Sequence, residues 1–180
     1  RQSRGPACQC SGRDPVPTAV DTLPAVPFEL LIRPATLADA EPIADIYNHA
    51  VLSTTATFDL VPRTVAAQRE WLAARSGAFA AIVGVEAATR RVVGFASLSP
   101  YRDRAAYSTT VEDSVYVSRD HQGRGVGRLL LGDLIEVARS HGFHAMMARI
   151  VGGHEASIGL HTALGFRVVG VEHQVGRKFN

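Results

Sequence analysis

Val111-Glu112-Asp113-Ser114-Val115-Tyr116-Val117-Ser118-Arg119-Asp120-His121-Gln122-Gly123-Arg124-Gly125-Val126-Gly127-Arg128 is the stretch whose reading decides the fold. Val111 to Val117 alternate, with β-branched residues on one side, which is the pattern of a strand. Gln122 to Gly127 cannot extend that strand, because a glycine at every second position frees the backbone to bend. From Arg128 the apolar residues recur at Leu129, Leu130, Leu134, Ile135 and Ala138, a helical stripe that Gly142 should close. Strand, glycine turn and helix start together offer unpaired N–H groups and the positive end of a helix dipole. That combination receives phosphate.

Two phosphate loops are excluded by single residues. A dinucleotide fingerprint requires a third small residue where Arg128 stands, and a P-loop requires Gly-Lys-Ser/Thr, which the chain lacks. The remaining pattern, Gln122-Gly123-Arg124-Gly125-Val126-Gly127 after a strand, reads Q/R-x-x-G-x-G/A. It resembles the acyl-CoA pyrophosphate loop of the GNAT N-acetyltransferase superfamily. The competing reading is a glycine-rich turn with no ligand.

Outward from this stretch, 180 residues are sized for one domain, and an apolar fraction of 46% suffices for a core. A net charge of +2 gives no argument for nucleic acid or a membrane surface. No apolar run approaches the ~20 residues of a membrane-spanning helix. Arg1 to Pro27 holds five of the nine prolines and no periodicity, so residues 1–27 are expected to be a disordered arm before a domain over residues 28–180. That arm lacks the apolar core of a secretory signal. Cys8 and Cys10 both lie in it, and their spacing argues for reduced thiols of a cytoplasmic protein rather than a zinc site.

In chain order, Glu29 to Arg33 reads as a strand. A helix runs to Val51 with Asp39 at its N-cap and Ile43, Ile46, Tyr47 and Ala50 inward. A second helix spans Thr64 to about Arg75, with Trp71 and Leu72 inward. Phe79 to Glu86 and Val92 to Leu98 form a hairpin, and a basic loop leads to a long strand from Tyr107 to Val117. Ala145 to Val151 is a further strand, Ala156 to Leu164 a helix ended by Gly165, and Phe166 to Glu172 a last strand. This order predicts an α/β fold with a central mixed sheet and helices on both faces. It is similar, element for element, to the GNAT (acyl-CoA N-acyltransferase) fold. That fold has another strand after the sixth, which this sequence does not supply, so an unpaired edge is expected at Phe166 to Glu172.

Within the superfamily, the wording resembles the phosphinothricin and methionine sulfoximine N-acetyltransferases. The resembling pieces are Ile32-Arg33-Pro34-Ala35, Ile46 to Val51, Thr54 to Phe58, Thr110 to Ser118, Ala156 to His161, Leu164-Gly165-Phe166 and Val175 to Phe179. The resemblance implies acetyl-CoA as donor and a small amino-acid analogue as acceptor; His49, His121, His141, His144 and His173 show no metal-ligand spacing, so no metal is expected. The resemblance places Gln122, Gly123, Arg124, Gly125, Val126, Gly127 and Arg128 on the pyrophosphate, the backbone of Val115, Tyr116 and Val117 on the pantetheine arm, and His154 on CoA, where an asparagine is usual.

Glu112 occupies the place of the catalytic glutamate. An ammonium must lose a proton before it attacks a thioester, and a nearby carboxylate can take it. Alternation sets Glu112, Ser114 and Tyr116 on one sheet face and Val111, Val115 and Val117 on the other. His161 stands where many relatives carry a tyrosine that protonates the leaving thiolate, the alternative being a histidine that only packs. Arg102 and Arg104, with Asp103 between them in the loop before the central strand, are expected to meet the acceptor, because guanidiniums suit oxyanions; the alternative is a solvated basic loop. Phe58 and Tyr107 would wall the aliphatic part. Expected partners are the small amino acid and, as an open oligomer, a homodimer, with neither nucleic acid nor membrane. Two alternatives stand beside the enzyme: a CoA-binding sensor or inactive fragment without turnover, and a peptide or protein N-acetyltransferase.

Overall fold

The structure is a computed structural model that describes residues 28–75 and 77–179. The expected arm over residues 1–27, with both cysteines, lies outside the described residues. Five strands form one sheet in the order β1 (Leu30–Pro34), β2 (Ala81–Glu86), β3 (Val92–Pro100), β4 (Thr110–Val117) and β5 (Ala145–Met147). The first three junctions are antiparallel, and only β4 with β5 is parallel. A parallel pair needs a crossover, and the helix α3 (Val126–Ser140) supplies it.

Two helices, α1 (Ala40–Ser53) and α2 (Val65–Ala73), cover one face. Ile43, Tyr47, Val51 and Leu72 pack there against Val83, Val85 and Phe95. On the other face Val126, Leu130, Leu134 and Ala138 of α3, four residues apart, meet Ile82, Ala96, Leu98 and Val111. Leu131 is also buried, whereas Leu129, expected in the stripe, faces outward. A bulge decides which way β3 points. Gly84 pairs with Gly94 but Val85 with Val92, so Val93 is the extra residue. The phase flips there, and Phe95 turns toward α1. A Cβ on Gly94 would lie 2.9 Å from Leu130 and 3.0 Å from the Tyr116 carbonyl oxygen, so α3 seats against bare backbone.

Several expected boundaries move. Asp39 sits at the N-cap of α1, but its carboxylate takes two hydrogen bonds from Arg33 and others from Thr36. These contacts, the Arg33 hydrogen bond foremost, draw its pKa down to about 2. Tyr107 lies in a 3-10 turn, Ala105–Tyr107, and the strand starts only at Thr110. The expected strand to Val151 stops at Met147, and Phe166 to Glu172 forms no strand. A lone segment gains no ladder hydrogen bonds, and among the described residues none lies beside it to provide them. Val168, Val169 and Val171 are correspondingly exposed. The last helix, α4 (Glu155–Ala163), ends before Gly165, whose φ of +93° is the left-handed turn expected of it.

Candidate active site

The short β5 creates an opening. Its ladder pairs Thr110 with Ala145, Val111 with Met146 and Glu112 with Met147, and then ends. From Asp113 to Val117 strand β4 keeps β3 on one side and, among the described residues, has no strand on the other. Glu112 stands at the last rung, and the backbone of Val115, Tyr116 and Val117 forms the free edge. Such an edge can accept an extended, amide-bearing ligand as an added strand. Side chains alternate as expected: Tyr116 stacks on Phe95 at 5.2 Å on the α1 side, while Val115 and Val117 pack toward α3.

The glycine turn lies at the end of that edge. Gly123 and Gly125 take φ of +73° and +83°, which side-chain-bearing residues avoid. Gly125 is the N-cap of α3, and the helix ladder begins with the bond from the Leu129 N–H to the Gly125 carbonyl. The N–H groups of Gly123 to Arg128 therefore have no acceptor among the described residues. Gln122, Gly123, Arg124, Gly125 and Arg128 are exposed, while Val126 anchors the helix in the core. A Cβ on Gly127 would meet Leu160 of α4 at 3.3 Å, so this glycine permits close helix packing. His154 is the exposed N-cap of α4 and makes no side-chain cap bond.

Glu112 holds a partner that the sequence did not suggest. Arg149, just past β5, donates through Nε to Oε1 at 2.9 Å and through a terminal nitrogen to Oε2 at 2.8 Å. The hydrogen bond to Glu112 raises the Arg149 pKa further. Because the Arg149 side chain is 68% exposed, the pair is screened by water and can open at small cost.

The other face of β4 carries a buried pair, Asp113 with His161. The His161 Nε2 lies 3.1 Å from Asp113 Oδ2, and its Nδ1 lies 2.7 Å from the Ser157 carbonyl oxygen. Both ring nitrogens thus face oxygen acceptors, and only the doubly protonated imidazolium donates to both. Burial lowers the His161 pKa, but the Asp113 hydrogen bond, the Ser157 carbonyl and the Asp113 charge outweigh it and raise the net value. Asp113 Oδ1 is buried without a hydrogen-bond partner.

Arg102, Asp103, Arg104 and Tyr107 gather around a cavity of about 320 Å³ beyond the start of β4. Arg102 sits over the Tyr101 ring at 5.0 Å and the Tyr107 ring at 5.7 Å, which holds the loop's cation in place. Phe58 does not line this cavity. It lies against Gly176, and Lys178 donates to the adjoining Thr57 carbonyl at 2.8 Å. A second, smaller cavity opens on the Glu112 face between α1, α2 and the sheet, with Arg63, Trp71, Arg75, Ser99 and Ser114 in its wall. None of Arg63, Arg75, Asp113 or Arg149 was singled out from the sequence. Among the described residues no helix is long and apolar enough to cross a membrane.

Comparison with known proteins accounts for this geometry. Residues 43–166 match the Acetyltransferase (GNAT) family. The chain is 40% identical over 153 residues to a phosphinothricin N-acetyltransferase of Streptomyces coelicolor, covering 84% of this chain and 90% of that protein. It is 44% identical over 148 residues to an L-methionine sulfoximine/L-methionine sulfone acetyltransferase of Pseudomonas paraeruginosa, covering 82% and 86%. A solved GNAT phosphinothricin acetyltransferase from Sinorhizobium meliloti, in complex with AcCoA, superposes with a TM-score of 0.79 at 35% identity, covering 83% of this chain and 81% of that one. The strand, the glycine turn and the helix that follows it are thus those of a shared ancestor: the chain belongs to the GNAT family of acetyltransferases.

Proposed function

We propose that this protein transfers the acetyl group of acetyl-CoA to the α-amino group of a small amino acid of the phosphinothricin or methionine sulfoximine type. One observation carries the reading: Glu112 stands where the β4–β5 ladder ends, and an open strand edge runs from it toward a helix start whose N–H groups have no acceptor among the described residues. Those N–H groups suit a pyrophosphate, and the absence of a Cβ at Gly123 and Gly125 lets its oxygens approach. The relatives that share the arrangement are named for this chemistry.

Acetyl-CoA supplies the activated thioester. Glu112 receives the proton that the acceptor ammonium must lose, using a lone pair left free when Arg149 swings to water. The open backbone of Val115 to Val117 holds the pantetheine amides, and an N–H there can steady negative charge on the carbonyl oxygen. Gln122 and His154 flank the donor. His161 provides the proton for the departing thiolate, from the pair it forms with Asp113. Arg102 and Arg104, with Asp103 between them and Tyr107 beside them, take the distal oxyanion of the acceptor. A cytoplasmic reaction fits the reduced thiols expected of Cys8 and Cys10, and a homodimer is testable on a sizing column.

The experiment is thiol release from acetyl-CoA with L-methionine sulfoximine, for the wild type and Glu112→Gln. The variant keeps the shape and removes the base, so kcat should fall by ~10²–10⁴ while acetyl-CoA affinity holds. Wild-type turnover in the variant would remove Glu112 from the chemistry. A wild type that binds acetyl-CoA and releases no thiol would favour the sensor.

A further inference from the structure

The smaller cavity on the Glu112 face has a composition that the steps above do not use. It encloses about 120 Å³, and its wall contains two guanidiniums and no carboxylate among the described residues. The Arg75 guanidinium carbon lies over the Trp71 ring, 3.5 Å from its centroid. Its terminal nitrogen donates to Ser99 Oγ at 3.1 Å, while its Nε is buried with no acceptor. Arg63 shares the Trp71 ring with it, 5.5 Å from that centroid, and lies 4.0 Å from the Tyr47 centroid. Among the described residues its one carboxylate contact is Asp59 at 3.4 Å, outside the wall. Burial, and then the charge of Arg63, bring the Arg75 pKa down to about 10. Two half-buried cations turned toward an empty polar space repel one another, and one has an orphaned donor. An anion placed there would offset that repulsion.

We infer that this cavity is the α-carboxylate subsite of the acceptor, with Arg75 and Arg63 as its cations. The inference rests on the acetyl-transfer reading and adds a specificity element to it. Position is the deciding argument. An α-amino group and its carboxylate share one carbon, so the cation that reads the carboxylate must stand within a side chain's length of the base. Ser99, which holds Arg75, is the direct cross-strand partner of Glu112. Side chains opposite each other in an antiparallel pair lie only ~5 Å apart at Cβ. Arg75, Ser99 and Glu112 thus form a row that matches carboxylate beside amine. The Arg102–Arg104 loop is then left for the distal group. The stacked, fixed guanidinium presents its edge to a carboxylate, which a mobile lysine does not.

The test uses L-methionine sulfone and 3-(methylsulfonyl)propylamine, the same molecule without its carboxylate. The wild type should favour the sulfone in kcat/KM by at least tenfold, the lower range of a charge-assisted pair. Arg75→Gln should collapse that preference toward unity by raising KM for the sulfone alone. Arg63→Gln, at a side chain already 25% exposed and thus structurally milder, should reduce it in the same direction. Calorimetric binding of L-methionine sulfone in the absence of turnover, and of acetyl-CoA, completes the set. Sulfone binding lost in Arg75→Gln with no turnover in the wild type would uphold the subsite and overturn the transfer reaction. Active variants that keep the wild-type preference would overturn the subsite and leave the reaction standing. Weaker acetyl-CoA binding in Arg75→Gln would also overturn it, because the anion would then be a CoA phosphate.

Discussion

Asp113→Ala is the sharpest probe of the buried pair. The substitution removes the acceptor of the His161 Nε2–H, at a site where the two side chains are 2% and 7% exposed. Left with a positive ring and no counter-charge, His161 should shed a proton and keep only the bond from Nδ1 to the Ser157 carbonyl. The loss is one charge-assisted hydrogen bond, ~1.5–3 kcal/mol. Removal of the already orphaned Asp113 Oδ1 offsets a part of that. A net loss of ~2 kcal/mol lowers Tm by ~4–8 °C in a chain of this size. The pH dependence carries the sign. A histidine whose folded pKa is raised contributes stability that is complete below its ordinary value of 6.5 and is lost as pH rises through the folded value. The gap between wild type and variant should therefore be full at pH 6 and shrink at pH 9, as read by urea midpoints at both. An equal gap at the two pH values would refute a charged pair and reduce Asp113 to a packing role.

Two further outcomes follow from local geometry. Gly125→Val puts a β-branched residue at φ +83°, with strain of ~1–2 kcal/mol, and a side chain where the backbone should meet phosphate. Calorimetry should show acetyl-CoA binding at least tenfold weaker, ~1.4 kcal/mol, and unaltered binding would remove this turn from the site. The Asp39 carboxylate, drawn down to about 2, contributes stability above its ordinary 3.8 that is lost as pH falls through the folded value. With Arg33 43% exposed the effect is under ~1 kcal/mol. Asp39→Asn should differ from wild type at pH 5 and converge with it near pH 2, and a gap that persists in acid would contradict the ion pair.

Most of the architecture was legible because it is local. Glycine at positions 123 and 125 permits a left-handed backbone without steric cost, and α3 starts where those glycines end the strand segment. Period-two alternation in β4 put Glu112 on the face opposite Val111 before any packing was known. The hairpin of β2 and β3 and the caps of α3 and α4 follow from the same near-neighbour chemistry.

Tertiary structure alone decided the features that join distant residues. No local pattern pairs Glu112 with Arg149, 37 positions on, or Asp113 with His161, 48 positions on. Read in isolation, Asp113 was simply the residue after the catalytic candidate, and Arg149 an interruption in an apolar run. The apolar character of Ala145 to Val151 promised a longer strand, yet ladder bonds exist only where β4 lies alongside, and the early end of β5 is what opens the site. The extra residue at Val93 reverses the face of Phe95, and alternation read from sequence cannot register a bulge set by the neighbouring strand. The sequence marks Arg75 only as the approximate end of a helix, and the fold brings Trp71, Ser99 and Arg63 around it. Period and glycine placement are properties of a few bonds, and the chain carries them wherever it goes. Burial and charge pairing belong to the space between elements, which exists only once the chain has folded.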